Sequence, residues 1–258
     1  MIDFLDTLAM DATKTIDSGY YKTAASTNKP KVSLKKAILQ CKANPVITEI
    51  KSASPSLGTI RSQVNPKEIA FSMEKGGAVG ISVLTEPKHF QGSLSALIQA
   101  REVVKLPILM KDIVIVAEQI EVAAQIGADA VLLIQGLFDK GCCEMSVNKT
   151  VAFAHSRGLE VLLETHATEE FQVAVETEAD LIGINNRNLG TLKIDLNTTK
   201  EILKKIGNCG KVVVSESGIK KPEDLRFLRE AGAKAFLIGS SIMLTENIEG
   251  KVKEFVEA

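Results

Sequence analysis

The stretch Val46-Ile47-Thr48-Glu49-Ile50-Lys51-Ser52-Ala53-Ser54-Pro55-Ser56-Leu57-Gly58 sets the terms for the whole chain. Val46–Ile50 is a short apolar run that ends in charge. Glu49 and Lys51 are two residues apart, so on a strand they project from one face. Ser54-Pro55-Ser56-Leu57-Gly58 then turns the chain away. An acid and a base side by side at a strand end make a poor core and a good active-site rim. The same ending is therefore expected on other strands.

Working outward, the chain alternates from Pro45 onward. Apolar runs fall at Val46–Ile50, Val79–Leu84, Pro107–Met110, Ala130–Ile134, Glu160–Leu163, Leu181–Ile184, Val212–Val214 and Ala235–Ile238, eight in all. Helical spacing fills 66–76, 92–104, 116–127, 140–157, 167–178, 197–206, 221–231 and 247–257. The joints repeat: Lys75-Gly76-Gly77-Ala78, Ile126-Gly127-Ala128-Asp129 and Ala231-Gly232-Ala233-Lys234. Glycine suits the left-handed residue that ends a helix before a short link. Short, fully apolar strands are what a sheet buried on both faces needs. Eight strand–helix units predict an α/β fold, a (β/α)8 TIM barrel, as one domain over 1–258. A doubly wound sheet would need fewer units and a clear switch point. Residues 1–44 precede the repeat as an N-terminal helical extension. It is read as a helix from 2 to about 26 (Ile2, Leu5, Leu8 and Ala9 at helical spacing) and a short one over 34–41 capped by Ser33.

Composition narrows the function. A chain of 258 residues, 45% hydrophobic and 24% charged, can bury a large core. A formal net charge of −1, with 4% aromatic residues and no Trp, argues against a nucleic-acid surface. Cys41, Cys142, Cys143 and Cys209 form no CxxC pair, so neither a metal site nor a disulfide framework is expected. Met1-Ile2-Asp3-Phe4 lacks a basic start and an apolar core, and no apolar run has membrane-spanning length. The reading is a reducing, cytoplasmic protein.

In such a barrel, chemistry sits at the carboxyl ends of the strands. Strand 1 ends in Glu49 and Lys51, and strand 3 runs into Lys111-Asp112. Strand 5 ends in Glu164 and His166, strand 6 in Asn185-Asn186-Arg187, strand 7 in Ser215-Glu216-Ser217-Gly218, and strand 8 in Gly239-Ser240-Ser241. Polar residues at any one strand end are ordinary, but the opposite ends carry no matching set. Two-residue alternation puts Leu109 with Lys111, Leu162 with Glu164, Gly183 with Asn185 and Val214 with Glu216. If those faces point inward, Glu49, Lys51, Lys111, Glu164, Asn185 and Glu216 converge over the barrel mouth. Two lysines and three carboxylates suit proton transfer. The small residues after strands 7 and 8 suit a phosphate, with Arg187 as a further charged contact.

These residues resemble a known family. Glu49-Ile-Lys51-Ser-Ala-Ser54-Pro-Ser56, Ser82-Val-Leu-Thr-Glu86, Phe90-Gln-Gly92-Ser93, Pro107-Ile-Leu-Met-Lys111-Asp112, Glu164-Thr-His166, Ile182-Gly-Ile-Asn185-Asn186-Arg187-Asn188-Leu189, Ser215-Glu216-Ser217-Gly218-Ile219 and Phe236-Leu-Ile-Gly239-Ser240-Ser241 resemble the indole-3-glycerol-phosphate synthases of tryptophan biosynthesis. The likeness covers nearly all of residues 45–245, in order. It implies closure of 1-(2-carboxyphenylamino)-1-deoxyribulose 5-phosphate to an indole with loss of CO2 and water. No cofactor and no metal are implied. By likeness, Lys111 is the general acid on the ketone oxygen, and Glu164 assists the cationic intermediates and proton transfers. Lys51 contacts the substrate carboxylate and serves as a second acid, with Glu49 as base in the dehydration. Asn185, Glu216 and Ser217 orient the substrate. Ser54, Arg187, Gly218, Gly239 and Ser240 lie around the phosphate and substrate. Phe90, Leu132, Leu133, Leu189 and Leu237 form the apolar slot for the anthranilate ring. Leu57 departs from the family, which often has Lys or Arg there.

His89, His155 and His166 lack ligand spacing and read as structural or solvent-facing. Lys204-Lys205 and Lys220-Lys221 read as solvated surface. Two rivals remain: another phosphosugar barrel such as phosphoribosylanthranilate isomerase, which needs no Lys51–Lys111 pair with Glu49 and Glu164, and a non-catalytic phosphate-ligand binder or scaffold.

Overall fold

Eight parallel strands close into a barrel in the computed structural model, which describes residues 3–23, 25–27, 29–54, 58–61 and 65–258 except the side chain of Ser54. They are β1 (Val46–Ile50), β2 (Gly80–Leu84), β3 (Ile108–Lys111), β4 (Ala130–Ile134), β5 (Glu160–Thr165), β6 (Leu181–Asn185), β7 (Val212–Glu216) and β8 (Ala235–Ile238). Each pairs with its neighbours in sequence, and β8 closes on β1 in the register Val46↔Phe236 and Ile47↔Leu237. This is the (β/α)8 fold that the alternation predicts. The repeated joints turn as expected, with φ at +92° for Gly77, +95° for Gly127 and +113° for Gly232.

Strand parity divides the core in two. Ile47, Leu109, Leu132, Leu162, Leu181, Val214 and Leu237 fill the barrel. Val46, Ile81, Val83, Met110, Leu133, Leu163, Ile182 and Phe236 pack outward against the helices. Both faces are dry, so the strands are apolar along most of their length. Near the carboxyl end the inward positions become polar. β3, β5, β6 and β7 extend one or two residues beyond the apolar runs because these polar residues still pair laterally, as Glu164↔Gly183 and Asn185↔Glu216 do.

The N-terminal extension departs from expectation. Its first helix is Phe4–Asp17 and does not reach residue 26, while Ile2 lies outside the described residues. Asp3 starts it with a reciprocal cap, each of Asp3 and Asp6 accepting the other's backbone N–H at 2.9 Å. Ser18 follows as the C-cap and Gly19 turns with φ +78°. Long-range bonds then tie the next described residues to the barrel flank. The Tyr20 hydroxyl donates to the Thr85 carbonyl (2.9 Å), Tyr21 donates to Asp112 (3.0 Å), and Thr27 N–H donates to the Gln125 carbonyl (2.9 Å). These tertiary bonds replace those that a longer helix would make within itself. The second helix, Leu34–Gln40, buries Leu34 and Ile38 with Ile47 and Val79 at the amino ends of the strands. It plugs the barrel floor, while the first helix lies across the mouth.

Two further differences are local. The helix expected over 140–157 is a short helix, Gln135–Asp139, followed by Val147–Ser156, with Gly141 at φ +68° between them. A hairpin pairing Ala53–Ser54 with Gly58–Thr59 follows β1. Among the described residues no helix is long and apolar enough to cross a membrane.

Candidate active site

The polar inward residues meet at the carboxyl end of the barrel. Lys111 Nζ lies 2.9 Å from Glu164 Oε2 and 2.9 Å from Glu216 Oε2. Lys51 Nζ lies 2.6 Å from Glu49 Oε1. Asn185 Nδ2 donates to Glu164 Oε1 at 3.0 Å, and Asn185 Oδ1 accepts Arg187 N–H at 2.9 Å. Glu49, Glu164, Asn185 and Glu216 are buried.

Glycine makes this crowding possible. A Cβ on Gly183 would overlap Glu216 Oε1, and one on Gly239 would sit 2.5 Å from Glu49 Oε1. Glu216 therefore leans over β6, and Glu49 over the end of β8. After β7, Ser217 (φ +67°) and Gly218 (φ +87°) turn through the left-handed region. For Ser217 this is uncommon backbone strain at the rim of the site.

Three buried carboxylates face two largely buried ammonium groups. Burial opposes the charge of Lys111, but Glu164, Glu216 and Glu49 outweigh it and hold the ammonium well above the lysine range. Burial also opposes ionisation of Glu164, yet Lys111 and the Asn185 amide bring its pKa below the usual value. For Glu216, burial dominates. Lys111 pulls the other way, Glu164 adds to the rise, and the pKa is pushed up to about 8. The site thus pushes the two carboxylates apart, Glu164 toward its ionised form beside the charged Lys111 and Glu216 toward its protonated form.

A cleft of about 710 Å³ opens above this cluster. At one side Phe90, Leu132, Leu189 and Leu237 form an apolar wall, joined by Phe4 and Leu8 from the first helix. Glu86 accepts the backbone N–H groups of Lys88, His89 and Phe90 at 2.9, 2.7 and 3.0 Å, fixing the loop that carries Phe90. Asp11 ties the helix to this loop, at 2.7 Å from Lys88 Nζ and 3.0 Å from His89 Nε2. At the other side stand Arg187, Ser217, Gly218, Lys220, Gly239 and Ser240.

A family model described as indole-3-glycerol phosphate synthase matches residues 7–255. The chain belongs to the indole-3-glycerol phosphate synthase family. It is 47% identical over 233 residues to the indole-3-glycerol phosphate synthase of Methanocaldococcus jannaschii, covering 88% of this chain and 84% of that protein. The Aquifex aeolicus protein of the same name is 44% identical over 222 residues, covering 86% and 84%. Among solved structures, a thiamine phosphate pyrophosphorylase from Pyrococcus furiosus superposes with a TM-score of 0.61 at 16% identity, covering 86% of this chain and 96% of that one. An N-acetylmannosamine-6-phosphate 2-epimerase from Clostridium perfringens gives 0.60 at 15%, covering 84% and 93%. At such identities these two likenesses show the barrel alone.

Against the family expectation, the structure gathers Glu49, Lys51, Lys111, Glu164, Asn185, Arg187, Glu216, Ser217, Gly218, Gly239 and Ser240 into one cleft with Phe90, Leu132, Leu189 and Leu237. Leu133 is the exception and is corrected. It faces the helices and is fully buried away from the cleft, because strand parity sends it opposite to Leu132. The side chain of Ser54 lies outside the described residues, as do Ser56 and Leu57. Phe4, Leu8, Glu86 and Asp112 also line the cleft, with no site role expected of them from the sequence. Leu8 had a signal in the amphipathic spacing of its helix, and Asp112 in its place beside Lys111. His166 lies behind the site, its Nδ1 2.7 Å from the Asn185 carbonyl, and acts as a support.

Proposed function

We propose that this cleft closes 1-(2-carboxyphenylamino)-1-deoxyribulose 5-phosphate to indole-3-glycerol phosphate, releasing CO2 and water. The observation that carries the reading is the Lys111 ammonium, buried between Glu164 and Glu216 beside a second ammonium–carboxylate pair, Lys51–Glu49. The phosphate takes the end with Arg187, Gly218, Gly239 and Ser240, and the aromatic ring takes the apolar wall.

Each step has a group suited to it. Ring closure moves electrons from the arene onto the ketone oxygen, and Lys111 delivers the proton that makes it a hydroxyl. Displacement of one carboxylate from Lys111 by that oxygen lowers the ammonium's hold on its proton. Glu164 stabilises the cationic ring and is held ionised for that task by Lys111 and Asn185. Lys51 holds the substrate carboxylate until its carbon–carbon bond breaks, and apolar surroundings favour neutral CO2 over the carboxylate. The hydroxyl then leaves as water with a proton from Lys51, while Glu49 takes the proton released as the indole double bond forms. Asn185, Glu216 and Ser217 orient the substrate. The enzyme acts on a soluble phosphorylated metabolite in the cytoplasm.

Indole emission tests this, because the protein has no Trp. Purified protein with the carboxyphenylamino substrate should produce indole fluorescence that persists in chelator and vanishes in Lys111→Ala. Substrate bound without any emission would leave a phosphate-ligand binder, and full turnover by Lys111→Ala would overturn its assignment as the acid.

A further inference from the structure

Two buried oxygens beside the site have no polar partner among the described residues: Glu49 Oε2 and Ser82 Oγ. They sit on adjacent strands in the register Glu49↔Ser82. Ile81 and Val83 belong to the outward core, so parity turns Ser82 into the barrel. Glu49 lines the cleft from the same interior. The in-register neighbours carry no side-chain donor, and the nearby cations Lys111 and Arg187 make no hydrogen bond to Glu49 Oε2. Leu109, in register with Ser82 on the far side, is apolar, and Gly239, against Glu49 Oε1, has no side chain. An ionised carboxylate only accepts, and a hydroxyl always has a proton to give. Buried polar atoms of this kind are seldom left unsatisfied, because each one costs its full desolvation.

We propose that Ser82 is a positioning residue for Glu49, its hydroxyl donating to Oε2 either after a χ1 turn or across one water. The inference rests on the roles proposed above for Lys51 and Glu49. In the free enzyme Lys51 holds Oε1 at 2.6 Å. Once Lys51 turns to the substrate carboxylate, that restraint is lost. The Ser82 hydroxyl keeps Oε2 in place, so Oε1 is presented as the base in a single orientation. A bond to the carboxylate's second oxygen fixes direction without occupying the lone pairs that take the proton.

The test is a set of Ser82 variants in the indole assay, read in steady state and in single turnover. Ser82→Ala should lower kcat about tenfold with KM within about twofold, since the lost bond is to a charged group used after binding. Ser82→Cys, similar in size but a weak donor, should resemble Ser82→Ala. In a Glu49→Ala background, Ser82→Ala should have no further effect, because contacts acting through one partner are not additive. Wild-type kcat in Ser82→Ala, full activity in Ser82→Cys, or an undiminished loss in the Glu49→Ala background would overturn the proposal. Absence of indole from the wild-type protein would instead overturn the function reading, before any Ser82 variant is compared.

Discussion

Glu216→Gln should stabilise the protein while impairing it. Glu216 is 1% exposed, and burial pushes its pKa from 4.5 to about 8. Between those values the native state keeps a proton that the unfolded chain releases. Stability therefore falls as pH rises from about 4.5 to about 8, and is flat above. At about 1.4 kcal/mol per pH unit, the cost at pH 7 approaches about 3 kcal/mol. Gln fills the same space, accepts from Lys111 through its carbonyl, and never titrates. The variant should match the wild type near pH 4.5 and exceed it by roughly 3–4 kcal/mol at pH 8. In a chain of this length that raises Tm by roughly 6–16 °C. Scanning calorimetry of both proteins from pH 4.5 to 8.5 reads the difference, and the indole assay should show reduced kcat in the variant. A Tm gain independent of pH, or a loss at pH 8, would refute the protonated Glu216.

The other tests concern space. Gly183→Ala places a methyl group against Glu216 Oε1 and 3.3 Å from Glu164 Cα. Overpacking should cost about 1–3 kcal/mol in a melt and reduce kcat at least about tenfold by moving Glu216 off Lys111; unchanged kinetics would show that Glu216 need not lean over β6. Leu132→Ala and Leu133→Ala each remove a buried leucine, at about 2–5 kcal/mol. Only Leu132→Ala should also raise KM, because only Leu132 faces the cleft. Equal KM values in the two variants would count against the ring slot.

What the sequence by itself determined was the repeat and most of the site. Strand–helix alternation repeated eight times admits few folds that bury every apolar run, and a barrel is the one without edges. Where a strand turns from apolar to polar, the polar residue marks the active end, and counting back by two marks the inward face. That logic places Lys111, Glu164, Asn185 and Glu216 at the barrel mouth, and the family motifs add their order along the chain. The family likeness put both Leu132 and Leu133 in the ring slot, and only Leu132 lines the cleft. In a strand dry on both sides neighbouring leucines look alike, and only barrel closure decides which points in. Helical spacing misled beyond Asp17, where the tyrosine hydroxyls find partners that are distant in sequence. Charge state was likewise invisible. Glu164 and Glu216 are the same residue type at equivalent strand ends. Tertiary structure separates them, because Asn185 donates to one and lowers its pKa, while burial without a second donor raises the other's.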